Sequence, residues 1–254
     1  MLEGNNTENT VEEPAPKPKK RNEKTEAKFL EDVDKLIAEA ERLGAEYTPP
    51  SAFAQVVPLK AKRDAVRLQR TVQQDKQADV DVLSNNVELL FKPLNSRVSG
   101  VINYTESAGR PENDVEMLRS TGRLISGKRA GAVDPNGRSV SVSHLYRATR
   151  LDNFSVLIEQ YDALDLKDPE DMFKVETLRA ELAEMRQGLD DLLAAQTAAD
   201  TADEKFDQLA YTDADSLLNG CVSGKGYIKS KYTTKGEPYK NISKTSFRLP
   251  SRFR

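Results

Sequence analysis

Leu94-Asn95-Ser96-Arg97-Val98-Ser99-Gly100 returns 124 residues later as Leu218-Asn219-Gly220-Cys221-Val222-Ser223-Gly224. The shared pattern, Leu-Asn-x-x-Val-Ser-Gly, does not stand alone. Gly109-x-Pro111 is answered by Gly236-x-Pro238, and Arg123-Leu124-x-Ser126 by Arg248-Leu249-x-Ser251. Upstream, Leu36-Ile37 is matched by Leu157-Ile158, and Ser51-x-Phe53 by Asp171-x-Phe173. Five matches in one order, at a nearly constant shift, are what duplication of a single unit leaves behind.

Periodicity makes that unit helical. Phe29, Val33, Leu36, Ala40 and Leu43 fall at 4-3-4-3 spacing, one apolar stripe, and Gly44 can end the helix at positive φ. After Tyr47-Thr48-Pro49-Pro50-Ser51, with Ser51 a candidate N-cap, comes a longer stripe of Val57, Ala61, Ala65, Leu68 and Val72. It falters through Gln73–Gln77 and resumes at Val82 and Val87. A third helix runs from Pro93 through Leu94, Val98, Val101 and Ile102 to the neighbourhood of Ala108–Pro111. In the second half, Phe154, Leu157, Ile158 and Tyr161 predict a short helix. Asp168-Pro169-Glu170-Asp171 reads as a helix start, and Leu178, Leu182, Met185, Leu189 and Leu192 follow at 4-3-4-3. Gln196 and Asp203 interrupt that seam, which favours an intramolecular bundle over a long coiled coil. A last helix carries Leu217, Leu218, Cys221, Val222 and Ile228.

The expected fold is therefore all-α: two tandem antiparallel three-helix units, resembling a six-helix bundle. The expected boundaries are a disordered leader over 1–24, one repeat over 25–128, a linker over 129–146, a second repeat over 147–247 and a basic tail over 248–254. In the linker, Asp134-Pro135-Asn136-Gly137 is a turn signal, so a small hairpin or an irregular connection is expected there.

Composition narrows the function classes. Charged residues make up 31% and hydrophobic ones 37%, with no Trp, which suits solvated helices with narrow apolar stripes. No run of about 18 apolar residues is present, so no membrane partner is expected. The first 25 residues lack the apolar core of a signal peptide, and Cys221 is the single cysteine, so a reducing cytoplasm is the expected compartment.

Catalytic chemistry leaves little trace. His144 is the only histidine and falls in the presumed linker, so neither a multi-histidine metal site nor a well-supported nucleophilic triad is expected. Gly220–Lys225 has the glycines and lysine of a phosphate loop but not its spacer, its following Ser or Thr, or a preceding strand. Cys221 sits on an apolar helical face and reads as an inert thiol. The expectation is a non-enzyme with no catalytic residue, no metal and no cofactor.

Two surfaces are candidates. Asn95, Ser99 and Gly100, with their counterparts Asn219, Ser223 and Gly224, would form a close helix crossing or line a small cleft. Glycine inside a helix costs about 1 kcal/mol relative to alanine, a cost that a close neighbour would offset. The second surface is the end of the chain. From Gly220 to Arg254 nine Lys or Arg face one acid, and Lys225, Tyr227, Lys229, Lys231, Tyr232, Lys235, Tyr239 and Lys240 interleave basic and aromatic residues. That mixture can neutralise phosphates and stack on bases, or the tail can fold back on the acidic stretch near Asp200–Asp215.

The ending from Val222 to Tyr232, then Gly236-Glu237-Pro238-Tyr239 and a basic tail, resembles uncharacterised bacterial helical proteins of similar length. The resemblance covers the last quarter of the chain and implies no catalytic residues. The leading expectation is a structural or adaptor protein, a duplicated helical scaffold that binds another protein or a second copy of itself. The alternative is a nucleic-acid-binding module built on the C-terminal basic segment.

Overall fold

The computed structural model describes residues 23–127, 147–167 and 169–253, so the expected linker and nearly all of the expected leader lie outside the described residues. The fold is all-α, with no strand among the described residues. Among the described residues there are eight α-helices: α1 (Glu23–Leu43), α2 (Val56–Phe91), α3 (Leu94–Ser107), α4 (Glu112–Ser126), α5 (Arg147–Asp162), α6 (Val175–Asp207), α7 (Leu217–Tyr232) and α8 (Glu237–Ile242). Three helices per half were expected, and α4 and α8 add a fourth to each. Both follow a Gly-x-Pro element: Pro111 is the N-cap of α4, and Pro238 sits in the first turn of α8. Proline lacks the N–H that a helix start leaves unpaired, so the punctuation that ends one helix also opens the next.

Helix ends follow local chemistry. Gly44, at φ 51°, closes α1 as its position suggests. Ser51 precedes the 3-10 turn Ala52–Ala54 rather than α2 itself, and its hydroxyl makes no cap bond. The π-turn Gln208–Thr212 follows α6, and the Ser216 hydroxyl then caps α7 by accepting from the Asn219 N–H.

The described residues form two compact units. One takes the residues up to Arg67 together with those from Asp207 onward, and the other is Leu68–Phe206. Each unit therefore draws on both halves of the sequence, because α2 and α6 each begin in one unit and end in the other.

In the central unit, Leu94, Val98, Leu118, Ile125, Leu151, Phe154, Leu157, Ile158, Leu178 and Met185 share one apolar core. At about 25 cal/mol per Å² of apolar surface, burial of such a core is the main force holding the unit together. The 4-3-4-3 seam of α6 points inward as its spacing predicts, with Leu178, Leu182, Met185 and Leu192 buried. The buried face of α2 differs from the apolar stripe that spacing picks out. Val87 of the stripe is buried, but Leu68, Val72 and Val82 are exposed, and Val66, Gln69, Gln73 and Phe91 are buried instead. Gln69 Nε2 donates to Ala202 O at 3.0 Å and Gln73 Nε2 to Asp203 Oδ1 at 2.6 Å. Further along, a Cβ at Gly188 would stand 3.0 Å from Leu90 Cδ1. Contacts that rise along α2 and fall along α6 mean that the two helices run antiparallel. Arg97 of α3 clamps Glu181 of α6 bidentately, its Nε donating at 2.9 Å.

In the terminal unit, Phe29, Val33, Leu36 and Ile37 of α1 are buried, as are Leu59, Leu217, Cys221, Ile228 and Ile242, and α1 contacts α7 and α8. Helix α7 touches α1, α8 and the turn Ala52–Ala54. A Cβ at Gly220 would lie 2.8 Å from Phe53 O and 2.9 Å from Leu59 Cδ2. Backbone cannot give way as a side-chain tip can, so Gly220→Ala is expected to destabilise the protein by about 1–3 kcal/mol, despite alanine's better helix propensity. Urea unfolding followed by circular dichroism measures this, and an unchanged or raised midpoint would refute the close packing.

Candidate functional site

The repeated motif builds two aromatic seats. In the central unit a Cβ on Gly100 would stand 2.7 Å from the Phe173 ring, which stacks on Tyr104 at 5.6 Å and 29°. Tyr104 Oη donates to Lys167 O at 3.4 Å. In the terminal unit a Cβ on Gly224 would stand 2.5 Å from Tyr47 Oη. The Tyr47 ring meets Tyr227 edge to face at 5.5 Å, and Tyr227 Oη donates to Glu46 O at 3.1 Å. Each glycine thus admits an aromatic residue from a connecting segment, and a tyrosine further along the same helix covers it. These seats are filled by the protein's own side chains.

The other motif residues diverge. Asn95 Oδ1 accepts from Arg150 Nη2 at 3.0 Å, whereas Asn219 Nδ2 donates to Asp213 O at 3.0 Å and to Ala214 O at 3.3 Å. Ser99 Oγ donates back to Asn95 O within its own helix at 3.0 Å, and Ser223 is half-buried on α7. Gly220 belongs with the glycine face of α7 and was missed in the sequence. Its spacing to Gly224, four residues along one helical face, was the available signal.

The basic and aromatic segment is partly consumed by the fold. Lys225 Nζ donates to Ser243 O at 3.1 Å and Thr245 O at 2.5 Å and lies over the Phe247 ring. Burial pulls its pKa below the ordinary lysine value. Lys231 donates to Glu46 O and lies over the Tyr227 and Tyr232 rings, and Tyr232 Oη donates to Glu46 Oε2 at 2.6 Å. Lys229, Lys235 and Lys240 are exposed, their side chains make no hydrogen bond or ion pair among the described residues, and Tyr239 is half-buried.

Among the described residues the end of the chain folds back on α1, where it meets two buried carboxylates. Ser246 N–H donates to Asp32 Oδ2 at 3.0 Å, and Asn241 Nδ2 donates to Glu39 Oε2 at 3.0 Å. Phe247 meets Phe29 edge to face at 6.4 Å, and Phe253 contacts Tyr211 at 5.8 Å.

Groups suited to acid–base or metal chemistry are sparse among the described residues. No group of three or more His, Cys, Asp or Glu is placed to hold a metal ion. Burial raises the Cys221 thiol well above its ordinary value, as expected of an inert core cysteine. Burial also pushes Tyr161 up to about 12, and its hydroxyl is buried without a hydrogen-bond partner. His144 lies outside the described residues.

What the central unit does present is apolar surface. Leu68, Val72, Val82 and Leu89 of α2 are 69%, 37%, 58% and 64% exposed. At 3.6 residues per turn they fall within about 100° of arc, on the side away from Gln69, Gln73 and Val87. A groove of about 440 Å³ lined by Met117, Val156, Ala163 and Leu164 is a second apolar feature of the same unit. No helix among the described residues is long and apolar enough to cross a membrane.

Comparisons with known proteins return no matching family description, no matching curated protein and no matching solved structure.

The clasp of the tail on α1 has a pH signature. Burial opposes ionisation of Glu39, but hydrogen bonds from Arg42 and Asn241 outweigh it and hold the carboxyl below its ordinary value. A depressed carboxyl contributes stability above its unfolded pKa and loses it as pH falls through the folded value. Glu39→Gln is therefore expected to cost about 1–3 kcal/mol at pH 7, with the gap from the parent narrowing below about pH 4.3. Urea midpoints measured across that range test it, and a pH-independent gap would refute the assignment.

Proposed function

We propose that this chain is a non-enzymatic scaffold, built by duplication of one helical unit, that binds another protein through the exposed apolar face of α2. The row Leu68, Val72, Val82 and Leu89 carries the reading. A helix that buries glutamines on one side and exposes leucines and valines on the other gains free energy when a partner's apolar surface covers it. The recurring Leu-Asn-x-x-Val-Ser-Gly motif and the matched order of helices in the two halves support the duplication. A reducing cytoplasm suits the lone buried Cys221. Either a different protein or a second copy of this chain can supply the covering surface.

The double variant Leu68→Glu/Val82→Glu is expected to keep its helicity and urea midpoint, since both side chains are already in water, and to lose at least about tenfold in partner affinity. Light scattering of the purified chain reads self-association. Crosslinking capture from native lysate reads a different partner. If the parent is monomeric and captures nothing that the double variant fails to capture, the scaffold reading through this face is wrong.

A second reading draws on Lys229, Lys235 and Lys240, which the fold leaves exposed and unpaired among the described residues. They would contact nucleic-acid phosphates. Retardation of RNA or DNA at about 150 mM salt, lost when all three become Gln, supports it. Absence of retardation, or retardation indifferent to the substitutions, counts against it.

A further inference from the structure

We infer that the groove formed by the end of α2, the start of α3 and the first turn of α5 is a binding site for a small phosphate-bearing anion, held by Arg147 and Arg150. The groove has a volume of about 810 Å³ and is lined by Asn85, Glu88, Leu89, Phe91, Lys92, Asn95, Arg147 and Arg150. Its volume falls within the usual range for small-molecule sites, and unlike the apolar groove beside Met117 it is walled by amides and cations.

Phe91 is buried and acts as the platform. The Arg147 and Arg150 guanidinium carbons lie 5.9 and 5.7 Å from its ring centroid. Cation–π attraction lets one ring hold two like charges side by side. Arg150 is fixed further, its Nε donating to Ile125 O at 2.9 Å and its Nη2 to Asn95 Oδ1 at 3.0 Å. Both acceptors are neutral, so they orient the guanidinium without cancelling its charge and leave its other N–H groups available.

The missing counter-charge points to a ligand. Elsewhere in the central unit, Arg97, Arg119, Arg123 and Arg179 each pair with a carboxylate within 4 Å. Among the described residues no carboxylate pairs with Arg147, Arg150 or Lys92. Glu88 is the one acid among the residues lining the groove, and it makes no ion pair among the described residues. Three cations thus face one carboxylate. Burial and the neighbouring Arg147 together make the charged form of Arg150 less favourable than usual, and a bound anion would reverse that penalty. A guanidinium pair offers planar forks that match phosphate oxygens, and the remaining volume admits an organic portion beyond the phosphate.

Calorimetric titration of the full chain with pyrophosphate and, separately, with a nucleoside diphosphate tests the site. Saturable one-to-one binding is expected for at least one of them, and their order tells whether the free phosphate or its organic ester fits better. Arg147 makes no hydrogen bond to a described residue, so Arg147→Gln is expected to leave folding intact and weaken binding at least about tenfold. Arg150→Lys removes the fork and is expected to weaken it comparably. Glu88→Gln removes the one opposing charge and is expected to tighten binding several-fold. No heat from either probe up to about 10 mM overturns the inference. So does binding unmoved by Arg147→Gln, or binding that falls equally when Lys229 and Lys240 are changed to Gln.

Discussion

Gln69 and Gln73 of α2, bonded to Ala202 O and Asp203 Oδ1 of α6, set which side of the longest helix faces inward. A buried amide without a partner costs about 1–3 kcal/mol, so this pairing is one that a rotated α2 could not give up cheaply. Once Gln69 and Gln73 face α6, helical geometry turns Leu68, Val72, Val82 and Leu89 outward and brings Val87 and Phe91 into the core. The exposed apolar row and the Phe91 platform under Arg147 and Arg150 are both consequences of that rotation. Close approach at Gly188 keeps the same register further along the pair.

Helices whose buried face is apolar were legible from spacing alone. Phe29, Val33, Leu36 and Ala40 of α1, Phe154, Leu157 and Ile158 of α5, and the α6 seam all point inward as read. The α2 reading went astray for a physical reason. Spacing finds the apolar side of a helix, and here two glutamines occupy the buried side while leucine and valine face water. Hydrogen-bonded amides look like surface residues in a sequence, because their partners lie about 130 residues away. The fourth helix of each half was hidden too, since Gly-x-Pro marks both an end and a beginning.

The glycine motif was legible as a packing device, but its neighbour was not. Sequence reasoning supplied a crossing helix, whereas the structure supplies Phe173 at Gly100 and Tyr47 at Gly224. Both aromatics come from connecting segments near 3-10 turns, where no periodicity announces a buried side chain. The basic segment shows the same limit. Composition counts Lys225 and Lys231 as surface charge, yet both spend their donors on backbone carbonyls of the fold. Lys229, Lys235 and Lys240 keep the character that composition gave all of them.

If the two halves descend from one unit, as proposed, their shared and divergent positions separate architecture from use. The shared device is the glycine seat with its covering tyrosine, Tyr104 over Phe173 and Tyr227 against Tyr47. It fixes a connecting segment against the third helix of each half and needs only room and an aromatic ring. The divergent position is the asparagine a turn earlier. Asn219 is spent locally, donating to Asp213 O and Ala214 O ahead of its own helix. Asn95 instead accepts from Arg150 and holds a guanidinium at the rim of a groove. The same residue type thus serves the backbone in one half and, in the other, positions the Arg150 guanidinium over the Phe91 ring.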